Sequence, residues 1–375
     1  MTQSAYVKKK SGPVHVGIAG LGEIGAVHLS ALSQLDNCKL MGVCDPRQEV
    51  AKRVATDTGA NAYGDAADLI NKESLDLLLV LTPAGTHNEI VQMAASAGVD
   101  VFCEKPMAIT LADAQAMAET CKRTGVRFFY GSTYRYLPAI QAARDIVQAG
   151  TIGRVQILSE TVVTGHGLEG YRPLSTVHYP LGGPGGPGMS LIDHGVHLVD
   201  VFSWTLGERP SHVQGHGLRS GDPAGSEYLL AHYPSGALGH LLYNNATFTT
   251  AMPNEGIFAG GDGWGNDGQY VAAGGWLSDP GSISIWGTEG SLRIFHYANA
   301  VFLNRGDGPQ RVELSGRPSP GHFVTQMEAV VEAIQSGKEP ECGADDGIAA
   351  LSTILAATAA NETGSQFETS RGLDP

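Results

Sequence analysis

Two groups of residues in this chain have the types and spacing of working chemistry. The first is Gly20-Leu21-Gly22-Glu23-Ile24-Gly25, which follows an apolar run and opens a helical pattern. In that context the first glycine permits a tight turn, the second lets the backbone approach a pyrophosphate, and the third lets helix and strand pack closely. Free N–H groups and the dipole at the helix start favour the phosphate charge. Asp45 ends the next apolar run, 25 residues beyond Gly20. A carboxylate there accepts hydrogen bonds from the adenosine ribose hydroxyls and repels a 2′-phosphate. The pattern therefore favours NAD over NADP, while Arg47, two residues on, would soften the preference and admit NADP.

The second group is Asp193 and His197, four apart in a helical pattern and so about 40° apart on one face. An aspartate beside an imidazole fixes its orientation and stabilises the cation formed when it takes a proton. Taken alone, such a pair is more commonly a satisfied structural contact. Asp193, His194, His197 and Asp200 also spell D-H-x-x-H-x-x-D, a candidate metal sequence. On a regular helix His194 points about 100° from Asp193 and about 60° to the other side of His197. Four convergent ligands are then not expected, and no paired Cys/His cluster supports them. No metal is expected.

The elements that must position these groups fall into two regions. In the first, short apolar runs (Val14–Ala19, Lys39–Cys44, Leu75–Leu81, Asp100–Cys103, Arg127–Tyr130) alternate with helical patterns at Ile24–Leu35, Gln48–Thr58, Asn88–Ser96 and Leu111–Arg123. Such alternation predicts βαβ units and a parallel sheet. After a helix at Ala139–Ala149, strand patterns at Arg154–Val163, Glu227–His232, Ala237–Ala246, Ser282–Trp286 and Ser291–Phe295 predict a largely antiparallel sheet. Helices are expected at Ser190–Leu206, His322–Gln335 and Asp346–Asn361. The expected fold class is α/β: a Rossmann dinucleotide-binding domain over residues 13–134, then an α/β substrate and oligomerisation domain with a large open sheet over 135–375. Two glycine-rich loops interrupt the second sheet. The first, Gly165–Gly188, carries Tyr171, Arg172 and His178; the second, Gly256–Gly281, carries Trp264. Their aromatic side chains either stack on a sugar face or fold the loops back onto the body.

Composition narrows the functions further. With 42% hydrophobic and 17% charged residues, the 375-residue chain has the makings of a sizeable core and not of disorder. Its net charge of −14 repels nucleic acid and anionic membranes. Five cysteines without a C-x-x-C pair suggest neither a disulfide framework nor a zinc site, and suit a reducing compartment. No apolar run is long enough to span a bilayer or resembles a signal peptide, so a cytoplasmic protein is expected.

Glu104-Lys105-Pro106, at the end of the strand Asp100–Cys103, resembles a motif of the glucose–fructose oxidoreductase/inositol dehydrogenase/rhizopine catabolism (Gfo/Idh/MocA) family. Thr82-Pro83 with His87 is similar to the family's segment after the preceding strand. The run Gly188 to His197, with its D-x-x-x-H helix, and Gly287-Thr288-Glu289-Gly290-Ser291-Leu292 are similar to later motifs. The resemblance covers about Val14 to Gly364. The two glycine-rich loops and the Gly-Pro run before Asp193 depart from the pattern and leave the substrate open.

The resemblance implies NAD(P)-dependent oxidation or reduction at a ring hydroxyl of a sugar, inositol or related polyol. It also implies an open sheet face that mediates a homodimer or homotetramer. Removing hydride from a secondary alcohol requires a base within reach of the hydroxyl proton. On this pattern His197 is the base, Asp193 orients it, and Lys105 donates to the reacting oxygen. Thr82, Pro83 and His87 would line the cofactor trough, unless His87 only caps the following helix. Glu104 would hold the nicotinamide ribose or anchor Lys105. Two other functions fit the pattern: a glycoside-cleaving enzyme that uses NAD for transient oxidation, and a non-catalytic dinucleotide-dependent regulator.

Overall fold

The computed structural model describes residues 10–163, 191–216, 226–244, 282–296, 298–363 and 367–368. Both glycine-rich loops, with Tyr171, Arg172, His178 and Trp264, lie outside the described residues. The chain divides into two compact units, residues 1–132 with 323–348 and residues 133–322 with 349–375.

The first unit is a six-stranded sheet in the order β3-β2-β1-β4-β5-β6, parallel throughout. Its strands are β1 (Val14–Ala19), β2 (Cys38–Cys44), β3 (Asn61–Tyr63), β4 (Leu77–Val80), β5 (Asp100–Glu104) and β6 (Phe128–Gly131). Helices α1 (Glu23–Leu32), α2 (Gln48–Thr58), α3 (Ala66–Lys72), α4 (His87–Ser96) and α5 (Leu111–Thr124) connect them. Every residue of β4 is buried, as its unbroken apolar run requires of a strand covered on both faces. The strand order reverses between β1 and β4, whose last residues, Ala19 and Val80, are paired. In open parallel sheets the crevice beyond such a reversal is where ligands bind. β3 and α3 escape a hydrophobicity pattern because β3 has only three residues, two of them exposed.

The second unit opens with a 3₁₀ turn at Thr133–Tyr136 and continues through α6 (Pro138–Gln148) and β7 (Val155–Val163). A π-turn at Leu191–Gly195 leads into α7 (Val196–Leu206). Strands β8 (His212–His216), β9 (Ser226–His232), β10 (Leu238–Asn244), β11 (Ile283–Gly287), β12 (Ser291–Phe295), β13 (Ala300–Asn304) and β14 (Pro309–Arg311) follow. The two-residue β15 (Phe367–Glu368) completes a nine-stranded sheet, ordered β14-β13-β12-β11-β7-β10-β9-β8-β15. Only the β7–β10 pair is parallel. On β10, Gly239, Leu241 and Tyr243 are buried while His240 and Leu242 are half-buried, the period-two pattern of a sheet with one face covered.

Helices α8 (His322–Ser336) and α9 (Ala344–Thr363) lie between β14 and β15. From Phe323 on, α8 belongs to the first unit, whereas a linear division after residue 134 assigns it to the second. Its stripe of Val324, Met327, Val330, Val331 and Ile334 packs into the core around Val16, Ile18 and Leu79. A stripe at helical spacing shows that a helix is buried, but not against which sheet.

Candidate functional site

The turn from β1 into α1 is built by three glycines, each for a different reason. Gly20 has φ +101°, and a Cβ there would lie 2.6 Å from the carbonyl oxygen of Leu81. A Cβ on Gly25 would meet the carbonyl oxygen of Gly20 at 2.5 Å. A Cβ on Gly22 would meet nothing within 4 Å. The first and third glycines therefore serve the protein's own packing, and the second keeps clear the space before the helix. No side chain caps α1, so its leading N–H groups are available to an anion. The turn fits a dinucleotide pyrophosphate.

Asp45, just past β2, is buried and holds this turn from below: the Leu21 N–H donates to Oδ2 at 3.0 Å. Arg47 engages both carboxylate oxygens, Nε donating to Oδ1 at 2.8 Å and Nη2 to Oδ2 at 2.9 Å. Its backbone N–H adds a third contact, to Oδ1 at 2.9 Å. Arg47 thereby lowers the Asp45 pKa to about 2, against the opposing effect of burial. The acidic residue is charged, but its oxygens are already in use.

Glu104 ends β5, and its two oxygens are also committed. Oε2 accepts the Lys105 backbone N–H at 2.9 Å, and Oε1 lies 3.0 Å from Nε2 of His28 on α1. His28 is fully buried, with its ring edge-on to Phe102 and Phe323. Of the two expected roles for Glu104, these contacts fit the anchor of Lys105. Lys105 itself is half-buried, and its bond to Pro106 is cis. The sequence gives no sign of His28, because its partner lies 76 positions away.

His87 turns inward. Its Nε2 lies 2.7 Å from the Thr82 carbonyl oxygen, and Nδ1 is 3.2 Å from that of Met107 and 3.4 Å from Cys103 Sγ. Burial lowers its pKa, so the neutral ring is favoured, with a single N–H to donate to the carbonyl of Thr82 or of Met107. It neither caps α4 nor offers a nitrogen to a cofactor; it ties the Thr82 turn to the Glu104-Lys105-Pro106 turn. Thr82 and Pro83 remain half-buried, and the Thr86 hydroxyl donates to Thr82 Oγ1 at 2.8 Å.

In the second unit Asp193 lies in the π-turn and His197 in the first turn of α7, both nearly buried. The regular 100° spacing therefore does not hold at His194, since a π-turn widens the helix locally. His194 instead meets the sheet, its Nε2 3.0 Å from Glu160 Oε2 and its Nδ1 3.4 Å from the Tyr134 hydroxyl. Tyr243 donates to the same Glu160 oxygen at 2.8 Å. The ring of Tyr134 stacks on that of His197, centroids 4.1 Å apart and planes 6° from parallel. Arg135 Nε donates to Asp200 Oδ2 at 2.7 Å in a buried pair. The D-H-x-x-H-x-x-D residues thus have separate protein partners at His194 and Asp200. Among the described residues no group of three or more His, Cys, Asp or Glu is placed to hold a metal ion.

The π-turn starts where the Leu191 N–H donates to Glu227 Oε2 at 2.7 Å, and burial raises the Glu227 pKa to about 6. His296 lies beside this group, its ring 5.3 Å from Tyr134; burial drives its pKa well below the ordinary value. Glu160, Tyr243, Tyr134, Glu227 and His296 come from five different segments. No short motif points to them.

Residues 14–132 match the model of an oxidoreductase family with an NAD-binding Rossmann fold, and residues 140–293 match the GFO/IDH/MocA C-terminal domain. A D-apiose dehydrogenase of Paraburkholderia graminis is 36% identical over 137 residues, 36% of each chain. The chain thus spans about a third of that relative's length. A 2,7-anhydro-N-acetylneuraminate hydratase of Escherichia coli is 28% identical over 94% of this chain and 95% of its own. The structure of an oxidoreductase from Agrobacterium radiobacter in complex with NAD+, L-tartaric acid and magnesium shares the fold, at a TM-score of 0.76 and 19% identity over 95% of this chain and 98% of that one. Among the described residues, no helix is long and apolar enough to cross a membrane. Together with the two family models, the glycine turn and the order of its motifs place this chain in the Gfo/Idh/MocA family of NAD-binding oxidoreductases.

Proposed function

We propose that the protein is an NAD-dependent dehydrogenase acting on a ring secondary hydroxyl of a sugar, inositol or related polyol. The observation that carries this is Lys105, set on a turn that Glu104 and buried His28 hold in place, in a chain that also keeps Asp193 and His197. A chain that only bound a dinucleotide would need the glycine turn and not this set. When bound, the nicotinamide accepts the hydride. Lys105 donates to the hydroxyl oxygen and lowers the cost of alkoxide character. His197 takes the hydroxyl proton, and Asp193 holds the imidazole and offsets its charge. The sugar named in the D-apiose dehydrogenase is in keeping with this substrate class.

NAD is the preferred cofactor because Asp45 is charged where a 2′-phosphate would sit. Arg47 offers that phosphate a cation, so NADP is the secondary cofactor. We assign the outer face of the nine-stranded sheet to a homodimer or homotetramer. There Ile157 and Trp286, paired across β7 and β11, remain 40% and 42% exposed, and large apolar groups left in contact with water favour an interface. The protein is expected in the cytoplasm.

The test is a screen for NAD reduction over inositols, aldoses, anhydrosugars and glycosides, with NADP in parallel. Formation of NADH with one of these classes is the expected result; consumption of none removes the proposal. A second function is favoured by the near full-length match to a hydratase, whose named reaction adds water without net redox. In that case substrate is consumed with no accumulation of free NADH.

A further inference from the structure

We propose that Tyr134 is the positioning residue of His197, its ring the face against which the imidazole takes up and releases its proton. This rests on the general-base role assigned to His197 above. The two rings are nearly buried and lie parallel at 4.1 Å. The face of a phenol ring carries the negative part of its quadrupole, so it attracts an imidazolium more than a neutral imidazole, and more strongly out of water. Stacking therefore favours the state His197 reaches after it has taken the proton.

Two contacts keep the face in register. On one side the Tyr134 hydroxyl meets His194 Nδ1 at 3.4 Å, and Glu160 holds the other nitrogen of that ring at 3.0 Å. His194 Nε2–H donates to the carboxylate that also accepts from Tyr243, so the ring that meets the Tyr134 hydroxyl is itself held from behind. On the other side the next residue, Arg135, is fixed to Asp200 on α7, the helix that carries His197. The 3₁₀ turn and the helix are thus pinned before and after the stack. A tyrosine that merely filled space would need neither.

The charged and titratable groups around the stack are Asp193 and His194 on its own segment, the Arg135–Asp200 pair, Glu160 on β7, Glu227 on β9, Tyr243 on β10, and His296 and His322. His296 also approaches the Tyr134 ring, but burial lowers its pKa well below the ordinary value. It does not compete as a cation for the same ring.

The experiment compares wild-type protein with Tyr134→Phe, Tyr134→Leu and a series of fluorinated phenylalanines at position 134, which keep the ring's shape while withdrawing its π density. Two quantities are followed: the acid limb of kcat/KM against pH, and the titration midpoint of His197 by NMR of labelled imidazole. Tyr134→Phe, which keeps the ring and loses the His194 contact, should move both less than loss of the ring does. Tyr134→Leu and increasing fluorination should move both to lower pH, by about 0.5 unit for loss of the stack, with cofactor affinity unchanged. The fluorinated series decides the matter even if the leucine variant does not fold. A limb and a midpoint that stay fixed through the series overturn the proposal while leaving His197 as base. Near-normal turnover of His197→Ala overturns the general-base role itself, and the role of Tyr134 with it.

Discussion

In the first unit, glycines 20, 22 and 25 shape a turn from main-chain atoms alone, within six consecutive residues, and that turn fits a pyrophosphate. In the second, the ring stacked on His197 is that of Tyr134, which meets His194; Glu160 and Tyr243 hold His194 in turn, and Asp200 fixes the neighbouring Arg135. The difference teaches where each kind of chemistry resides. Binding an invariant pyrophosphate needs only backbone N–H groups, which any sequence supplies if glycine permits the path. Moving a proton needs a particular imidazole held in a particular environment, and that takes side chains from across the fold. Changes at the glycine turn should therefore read out as affinity for the cofactor, and changes at the proposed reacting groups, Lys105 and His197, as rate.

The largest test of that contrast is at the reacting groups. Lys105→Ala and His197→Ala should each lower kcat by roughly 10²–10⁴-fold, the usual contribution of a positioned proton-transfer or polarising group. NADH affinity, measured by fluorescence titration, should change less than about threefold. A variant that keeps near-wild-type turnover does not have the role assigned to it.

Next in size is a pair of glycine substitutions. Gly20→Ala forces a side chain onto a φ of +101° and into the Leu81 carbonyl at 2.6 Å. It should cost about 1–3 kcal/mol or more of stability, visible as a lower Tm, besides losing NAD. Gly22→Ala meets no protein atom within 4 Å, so its Tm should stay within about 2 °C of wild type while NAD affinity falls at least tenfold. Equal loss of stability in both would show that the cleared space serves packing and not a ligand.

These same contacts explain how much was legible beforehand. The βαβ alternation is visible because buried parallel strands are apolar throughout, and β1 and α2 fall on the expected residues. The glycine turn and Asp45 are visible because their spacing follows from one strand, one turn and one helix. Asp193 and His197 are visible as a local pair, but the π-turn is not, since nothing in Leu191–Gly195 distinguishes it from a regular helix. His28 under Glu104, and Glu160 under His194, are invisible for a different reason: their partners lie 76 and 34 positions away and join only when the sheets form. What holds His87 is also out of view: its ring nitrogens face the Thr82 and Met107 carbonyls and the Cys103 thiol, contacts set by how two turns meet.

A smaller effect sharpens the cofactor side. Asp45→Ala releases the Leu21 N–H of the glycine turn, so it should weaken NAD about tenfold, and it relaxes discrimination against NADP by removing the negative charge. Arg47→Ala should weaken NADP about tenfold and alter NAD by less than threefold, because the guanidinium now occupying both Asp45 oxygens is the cation available to a 2′-phosphate. Ratios of kcat/KM for the two cofactors measure both, and an unchanged ratio in Arg47→Ala removes Arg47 from cofactor choice.

A last effect concerns the second unit's framework. Glu227 accepts the Leu191 N–H that starts the π-turn, yet burial raises its pKa from 4.5 to about 6. Between those values the folded state binds more protons than the unfolded one, so stability falls as pH rises, by roughly 2 kcal/mol across the interval. Above pH 6 the carboxylate is charged in a setting that disfavours it. Glu227→Gln keeps an acceptor for Leu191 without the charge. Its Tm relative to wild type should therefore rise between pH 4.5 and 6.5 and level off above, in a series of thermal melts. A constant difference across that range would mean that the half-buried carboxyl is hydrated well enough to ionise without cost to the turn that carries Asp193.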